Sequence, residues 1–94
     1  MAGIGTALPL AEAGHNVALI EAARIGFGAS GRNGGQVLAG WAADSSTIAA
    51  ASNTDTAQRL WQLSVDAVDL IDARIRQHQI DCDWQRGYAT VAIK

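Results

Sequence analysis

From residue 3 to residue 14 the apolar positions Ile4, Ala7 and Leu10 or Ala11 recur at helical spacing, and Gly14 stands where a helix stops. Pro9 lies within this stretch. Deep in a helix it removes a hydrogen bond and crowds the carbonyl one turn back, so the pattern predicts an irregular first turn, or a helix starting near Leu8. The period then changes. NVALIEA, residues 16–22, is a nearly continuous apolar run, which predicts a strand buried on both faces. VLAGWAA, residues 37–43, is apolar without a clear period, and the Ser-, Ala- and Asn-rich residues 44–53 read as irregular. Residues 54–79 carry the strongest signal. Ala57, Leu60, Trp61, Ser64, Val68, Ile71 and Ile75 share one helical stripe, with Asn53 or Thr54 as the cap and Asp55 suited to the positive end of the dipole. Asp66, Asp69, Asp72, Arg74 and Arg76 then form its solvated face. After Asp81, Tyr88, Thr90 and Ala92 alternate with Val91 and Ile93, which predicts two short strands around Arg86-Gly87.

Composition narrows the class. The 94 residues allow one small domain at most, and 49% are hydrophobic, although 19 of those are alanines that bury little surface each. The net charge of -2 offers nothing to nucleic acid or to an anionic membrane. A single cysteine, Cys82, excludes an intrachain disulfide, fits a reducing compartment and reads as a small buried hydrophobe. His15 and His78 lack metal-ligand spacing, so no metal is expected. The N-terminal stretch has no basic region, and Glu12, Gly14 and His15 interrupt it, so neither a signal peptide nor a membrane span is expected.

Two constellations carry candidate chemistry. The first joins Gly3, Ala7, Leu10, Gly14, Val17 and Glu21. Small residues let a helix lie close to a sheet, Leu10 fills the space between them, Gly14 permits the turn and Val17 starts the next strand. Glu21 at that strand's carboxyl end accepts hydrogen bonds from the two ribose hydroxyls of an adenosine. This matches the later part of the dinucleotide-binding βαβ unit of flavin and NAD enzymes. On this register Gly3 is the third glycine of the fingerprint. The first two glycines and the first strand would then precede Met1, so the sequence reads as a fragment or a late start. In-frame codons directly before Met1 are expected to encode Gly-x-Gly after a short apolar strand. The second constellation is GFGASGRNGGQ, residues 26–36, in which five of eleven residues are glycine. Such a run is costly in backbone entropy unless something approaches closely. At the carboxyl edge of a sheet its amides would line an anion, with the Ser30 hydroxyl donating to a phosphate.

The combination EAGHNVALIEAARIGFGASGRNGGQ resembles the FAD-dependent oxidoreductases of the D-amino-acid oxidase and glycine oxidase type, especially the γ-glutamylputrescine oxidase-like branch. The resemblance covers nearly the whole chain, and CDWQRGYATVAI is similar to the family's passage into its substrate domain. It implies an α/β fold: a partial Rossmann-like FAD-binding βαβ unit without its first strand (residues 1–53), a connecting amphipathic helix (54–79) and the start of a β-rich substrate domain (80–94). It implies FAD as cofactor, with Gly3 in the fingerprint and Glu21 on the adenosine ribose. Ser30, Gly31, Arg32, Asn33, Gly34 and Gly35 would approach the pyrophosphate, ribityl chain or flavin ring. The implied reaction oxidises a small-molecule amine by hydride transfer to flavin, with oxygen reduced to hydrogen peroxide, in a cytoplasmic protein. No catalytic side chain is assigned, and the 94-residue chain alone is expected to be inactive and to hold FAD weakly or not at all. Two other readings stand beside this one. An NAD-dependent dehydrogenase would use Glu21 equally well, whereas NADP would be repelled by it. A non-catalytic remnant would expose Trp41, Trp61 and Trp84 as sticky surface.

Overall fold

The computed structural model describes residues 1–89 and 91. They form two compact units, residues 1–36 and the part from Val37 onward. Among the described residues there are three α-helices and one 3-10 turn, and no strand. The expected α/β architecture, a partial Rossmann-like βαβ unit followed by a β-rich segment, is overturned. The reason is pairing. Residues 15–21 run free of helix and turn, but no described segment forms a ladder with them, and a strand exists only through such bonds. Burial on both faces fails with it, since Leu19 is 55% and Ile20 90% exposed. The alternation after Asp81 meets the same limit, and Tyr88 and Val91 are exposed. Thr90, Ala92 and Ile93, assigned to that alternation, lie outside the described residues.

In the first unit, α1 spans Ala2–Glu12 and runs straight through Pro9. Neither the irregular first turn nor the start near Leu8 occurs, since the helix begins at Ala2. The carbonyl that the Pro9 ring crowds belongs to Gly5, whose backbone tilts most easily. Gly14 ends the helix as the pattern predicts. At φ +85° it donates its N–H to Ala11 O at 3.0 Å, while His15 N–H reaches Leu10 O at 3.0 Å. Together these two bonds make a Schellman stop. The returning chain packs close to α1: a Cβ added at Gly3 would stand 2.9 Å from Leu19 Cδ1. Residues 22–28 turn repeatedly and lead into a 3-10 turn at Ala29–Gly31. Here the glycine run meets itself. A Cβ at Gly31 would stand 2.1 Å from Gly26 O, while the space around Gly28 and Gly34 is open.

In the second unit, the residues read as irregular at 44–53 contain α2, Ser45–Ala51. Its start is fixed by Asp44, whose Oδ1 accepts from Thr47 N–H at 2.7 Å and from Ser46 Oγ at 2.7 Å. The Thr47 backbone bond, with help from Ser46, holds the Asp44 carboxyl below its ordinary pKa. α3 spans Thr54–Gln77, where the pattern predicts a helix over 54–79. Asn53 Oδ1 caps it by accepting from Thr56 N–H at 2.8 Å, and an Asp55–Arg59 ion pair supports its first turns. α2 packs against α3, and Ala57 is the buried apolar residue among those described. Residues 37–43 are pinned to α3 by polar contacts. Gly40 N–H donates to Ser64 Oγ at 2.9 Å, Ser64 Oγ donates to Trp61 O at 2.6 Å, and Trp41 Nε1 donates to Leu60 O at 2.9 Å.

Two further expectations are corrected. Asp72 does not belong to the solvated face of α3. It is 6% exposed, because it lies one turn beyond Val68 on the inward stripe. Cys82 is exposed rather than a small buried hydrophobe, because the segment around it forms no regular element to bury it.

α3 ends on a second Schellman stop, with Gln79 N–H on Arg76 O at 3.3 Å and Ile80 N–H on Ile75 O at 2.9 Å. The residue in the left-handed region is Gln79, φ +51°, not glycine. Gln79→Gly relieves that backbone and is expected to stabilise the second unit by about 0.5–1 kcal/mol. A higher urea midpoint in far-UV circular dichroism checks this. In the first unit, Gly31→Ala is expected to shift NMR amide resonances throughout residues 24–35, because backbone must move to admit the methyl. Gly34→Ala, which meets open space, should perturb only its neighbours.

Candidate functional site

Three of the residues singled out from the sequence meet in one cleft of the first unit. Gly3, Glu21 and Ser30 line a space of about 460 Å³, walled by the apolar side chains Ile4, Leu19, Ile20, Ile25 and Phe27. Local chemistry places each of them. The Gly14 stop turns the chain so that residues 19–21 pass beside the start of α1. The contact between Gly31 and Gly26 then folds the loop back, and Ser30 Oγ accepts a 2.7 Å hydrogen bond from the Met1 ammonium. The cleft therefore holds three kinds of surface: a helix N-terminus, a carboxylate and an apolar wall.

Glu21 is exposed, and its Oε1 accepts from Ala23 N–H at 3.0 Å. A carboxylate offers about four acceptor positions, so this bond orients the group and leaves capacity for hydroxyl donors. The amino end of α1 carries partial positive charge from its unpaired N–H groups, which suits an anion. Arg24 adds a cation at the wall, its guanidinium carbon 5.9 Å from the Phe27 ring centre.

The remaining singled-out residues do not line this cleft. Gly31 shapes it from behind through its close approach to Gly26. Arg32 follows the 3-10 turn and is exposed. Asn33 is engaged by the loop itself: Nδ2 donates to Ala29 O at 3.0 Å and to Ser30 O at 2.9 Å, and Oδ1 accepts from Gly35 N–H at 2.8 Å. Gly35 has φ +70°, which that turn requires. Gly34 touches nothing that a side chain would displace. Sequence reasoning passed over the wall residues Ile25 and Phe27, 88% and 57% exposed. Their signal was present: two large apolar residues flank Gly26 in an otherwise small and polar turn.

A larger cleft of about 640 Å³ lies between α2 and α3, lined by Ser45, Ala49, Ala57, Trp61 and neighbouring polar residues. Among the described residues no ionisable side chain lines it. Among the described residues no cluster of His, Cys, Asp or Glu is arranged to hold a metal ion. No described helix is long and apolar enough to cross a membrane.

Comparison with known proteins bears on the whole chain. A family model described as "DAO: FAD dependent oxidoreductase" matches residues 1–93. The chain is 45% identical over 91 residues to a probable oxidoreductase OrdL of Haemophilus influenzae, and 45% identical over 91 residues to the γ-glutamylputrescine oxidoreductase of Escherichia coli. Each match covers 97% of this chain and 21% of the relative. A probable oxidoreductase OrdL of Rhizobium meliloti is 36% identical over 95 residues, which is 98% of this chain and 22% of that protein. The chain thus spans about a fifth of the length of these curated relatives. No solved structure matches it. With a family model that matches residues 1–93 of its 94, the chain belongs to the FAD-dependent oxidoreductase (DAO) family.

Proposed function

We propose that the first unit receives the adenosine end of FAD in an oxidoreductase that acts on an amine. One observation carries this reading: Gly3, Glu21 and Ser30 line the same cleft. The cleft's surfaces fit the group. Glu21 is suited to accept from the ribose hydroxyls, the amino end of α1 and the Ser30 hydroxyl to face phosphate, and Ile20, Ile25 and Phe27 to cover the adenine. The chemistry that FAD supplies when bound is acceptance of a hydride from the carbon bearing the amine nitrogen, with oxygen taking the electrons to give hydrogen peroxide and the imine then hydrolysing. An amine as the donor rests on the similarity to γ-glutamylputrescine oxidoreductase.

Arg32, Asn33, Gly34 and Gly35 belong, on this reading, to the part of the loop nearer the pyrophosphate, ribityl chain and flavin. Support comes from Gly34. Gly31 lacks a side chain because Gly26 is in the way, but nothing among the described residues explains a glycine at 34. A closely approaching cofactor does. Asn33 then acts by holding the turn, and Gly31 by letting the loop close. The NAD reading loses support from the match to an FAD-dependent family.

A chimera tests the proposal, with this chain replacing the matching fifth of the Escherichia coli γ-glutamylputrescine oxidoreductase. Losing a hydrogen bond to a charged acceptor costs about 1.5–3 kcal/mol, so Glu21→Ala is expected to weaken FAD about tenfold or more. At saturating FAD, Gly34→Val should lower amine-dependent peroxide release more than Glu21→Ala does. Excess cofactor compensates for weak adenosine binding but does not restore a displaced ring. Unchanged FAD affinity in Glu21→Ala would contradict the adenosine assignment. Full activity of Gly34→Val would reduce the end of the glycine run to a flexible loop, and a chimera without flavin would favour a non-catalytic remnant.

A further inference from the structure

We infer that residues 81–89 form a strap latched onto α3 by Arg86, poised to swing away and uncover the apolar side chains Val37, Ala39, Val65 and Val68 when the latch weakens. The strap has no helix or strand of its own, and every residue in it except Trp84 is exposed. Its polar hold on α3 is ionic, beside the half-buried Trp84. Arg86 Nη1 donates to Asp72 Oδ2 at 3.2 Å, and Nη2 pairs with Asp69 Oδ1. The Asp72 side chain is only 8% exposed and also receives Arg76, with Nη2 at 3.1 Å from Oδ2 and Nε at 3.3 Å from Oδ1.

Three features make this a latch rather than a permanent weld. First, Asp72 keeps Arg76 as an i,i+4 partner when Arg86 leaves, so opening does not strand a buried carboxylate. Second, the Arg86 and Asp69 side chains are 57% and 52% exposed, so salt screens their half of the network. Third, closure carries an internal cost. Trp84 Nε1 is buried with no acceptor among the described residues, and lifting the strap would expose it to water. The strap itself walls a cleft of about 180 Å³ with Trp84, Tyr88 and Arg86, and the lining outside the strap is Val37, Ala39, Val65, Val68 and Asp69. The ionic hold and the partial burial of Trp84 beside Val65 and Val68 favour closure while its unsatisfied N–H opposes it, the opposition that a two-position element requires.

Trypsin reads the latch directly, because it cuts after Arg86 only when the guanidinium is free to leave the carboxylates. Cleavage at Arg86-Gly87 is measured in the 94-residue chain against cleavage at Arg32-Asn33 in the same sample. Asp72→Asn is expected to raise that ratio about fivefold or more, and Asp69→Asn about twofold. Raising NaCl to about 0.5 M should raise the ratio in the wild type and have little effect on the Asp69→Asn, Asp72→Asn double variant. If Asp72→Asn loses helix by circular dichroism, the half-exposed Asp69→Asn decides. A ratio that neither Asp69→Asn nor salt changes overturns the latch.

Discussion

The approach of Gly31 to the Gly26 backbone is the constraint on which the candidate site depends. Any Cβ at position 31 would overlap Gly26 O, and Gly26 itself holds φ +74°, so the crossing needs glycine at 31 for space and favours it at 26 for backbone conformation. The crossing folds residues 22–35 back toward the start of α1 and brings Ser30 to Met1. Without it the cleft would lose its third side, and Glu21 would be a carboxylate on an exposed segment. Glycine at 26 and 31 is thus explained inside the chain. Glycine at 28 and 34 is not, since both face open space, and that difference separates the residues that build the loop from those that leave room for something else.

The second unit is held by a different kind of force. Its caps at Asp44 and Asn53, the Gly40–Ser64–Trp61 chain, the Trp41–Leu60 bond and the Arg86 network are all polar. Apolar burial adds little, since Trp41, Trp61, Leu63 and Leu70 remain 44–54% exposed. Individual polar contacts contribute only about 0.5–1.5 kcal/mol net, so such a unit is specified in geometry before it is deep in stability. The strap at 81–89 expresses the same balance.

Reading the sequence located what is local. The stop at Gly14, the cap at Asn53 and the long helix each depend on residues within a few positions of one another, and each forms. The candidate cleft brings together Gly3 and Glu21, which the sequence links by fixed offsets along one motif. What failed depended on partners distant in the chain. An apolar run such as residues 16–22 becomes a strand only beside another strand, and period alone does not supply one. α2 was missed because Ser and Ala carry no amphipathic signal, although Asp44 three residues before Thr47 marked its cap. Asp72 was misplaced because its charge outweighed its position on the stripe. The family match agrees with the resemblance read from the motif, although no strand forms among the described residues.

The central claim is that the adenine of FAD lies against the wall formed by Ile20, Ile25 and Phe27. Photolabelling the chimera with 8-azido-FAD, followed by peptide mapping, tests it most directly. The account predicts label within residues 19–30, lost when excess FAD competes. Label concentrated on residues 45–62, or nowhere in this chain, would contradict it.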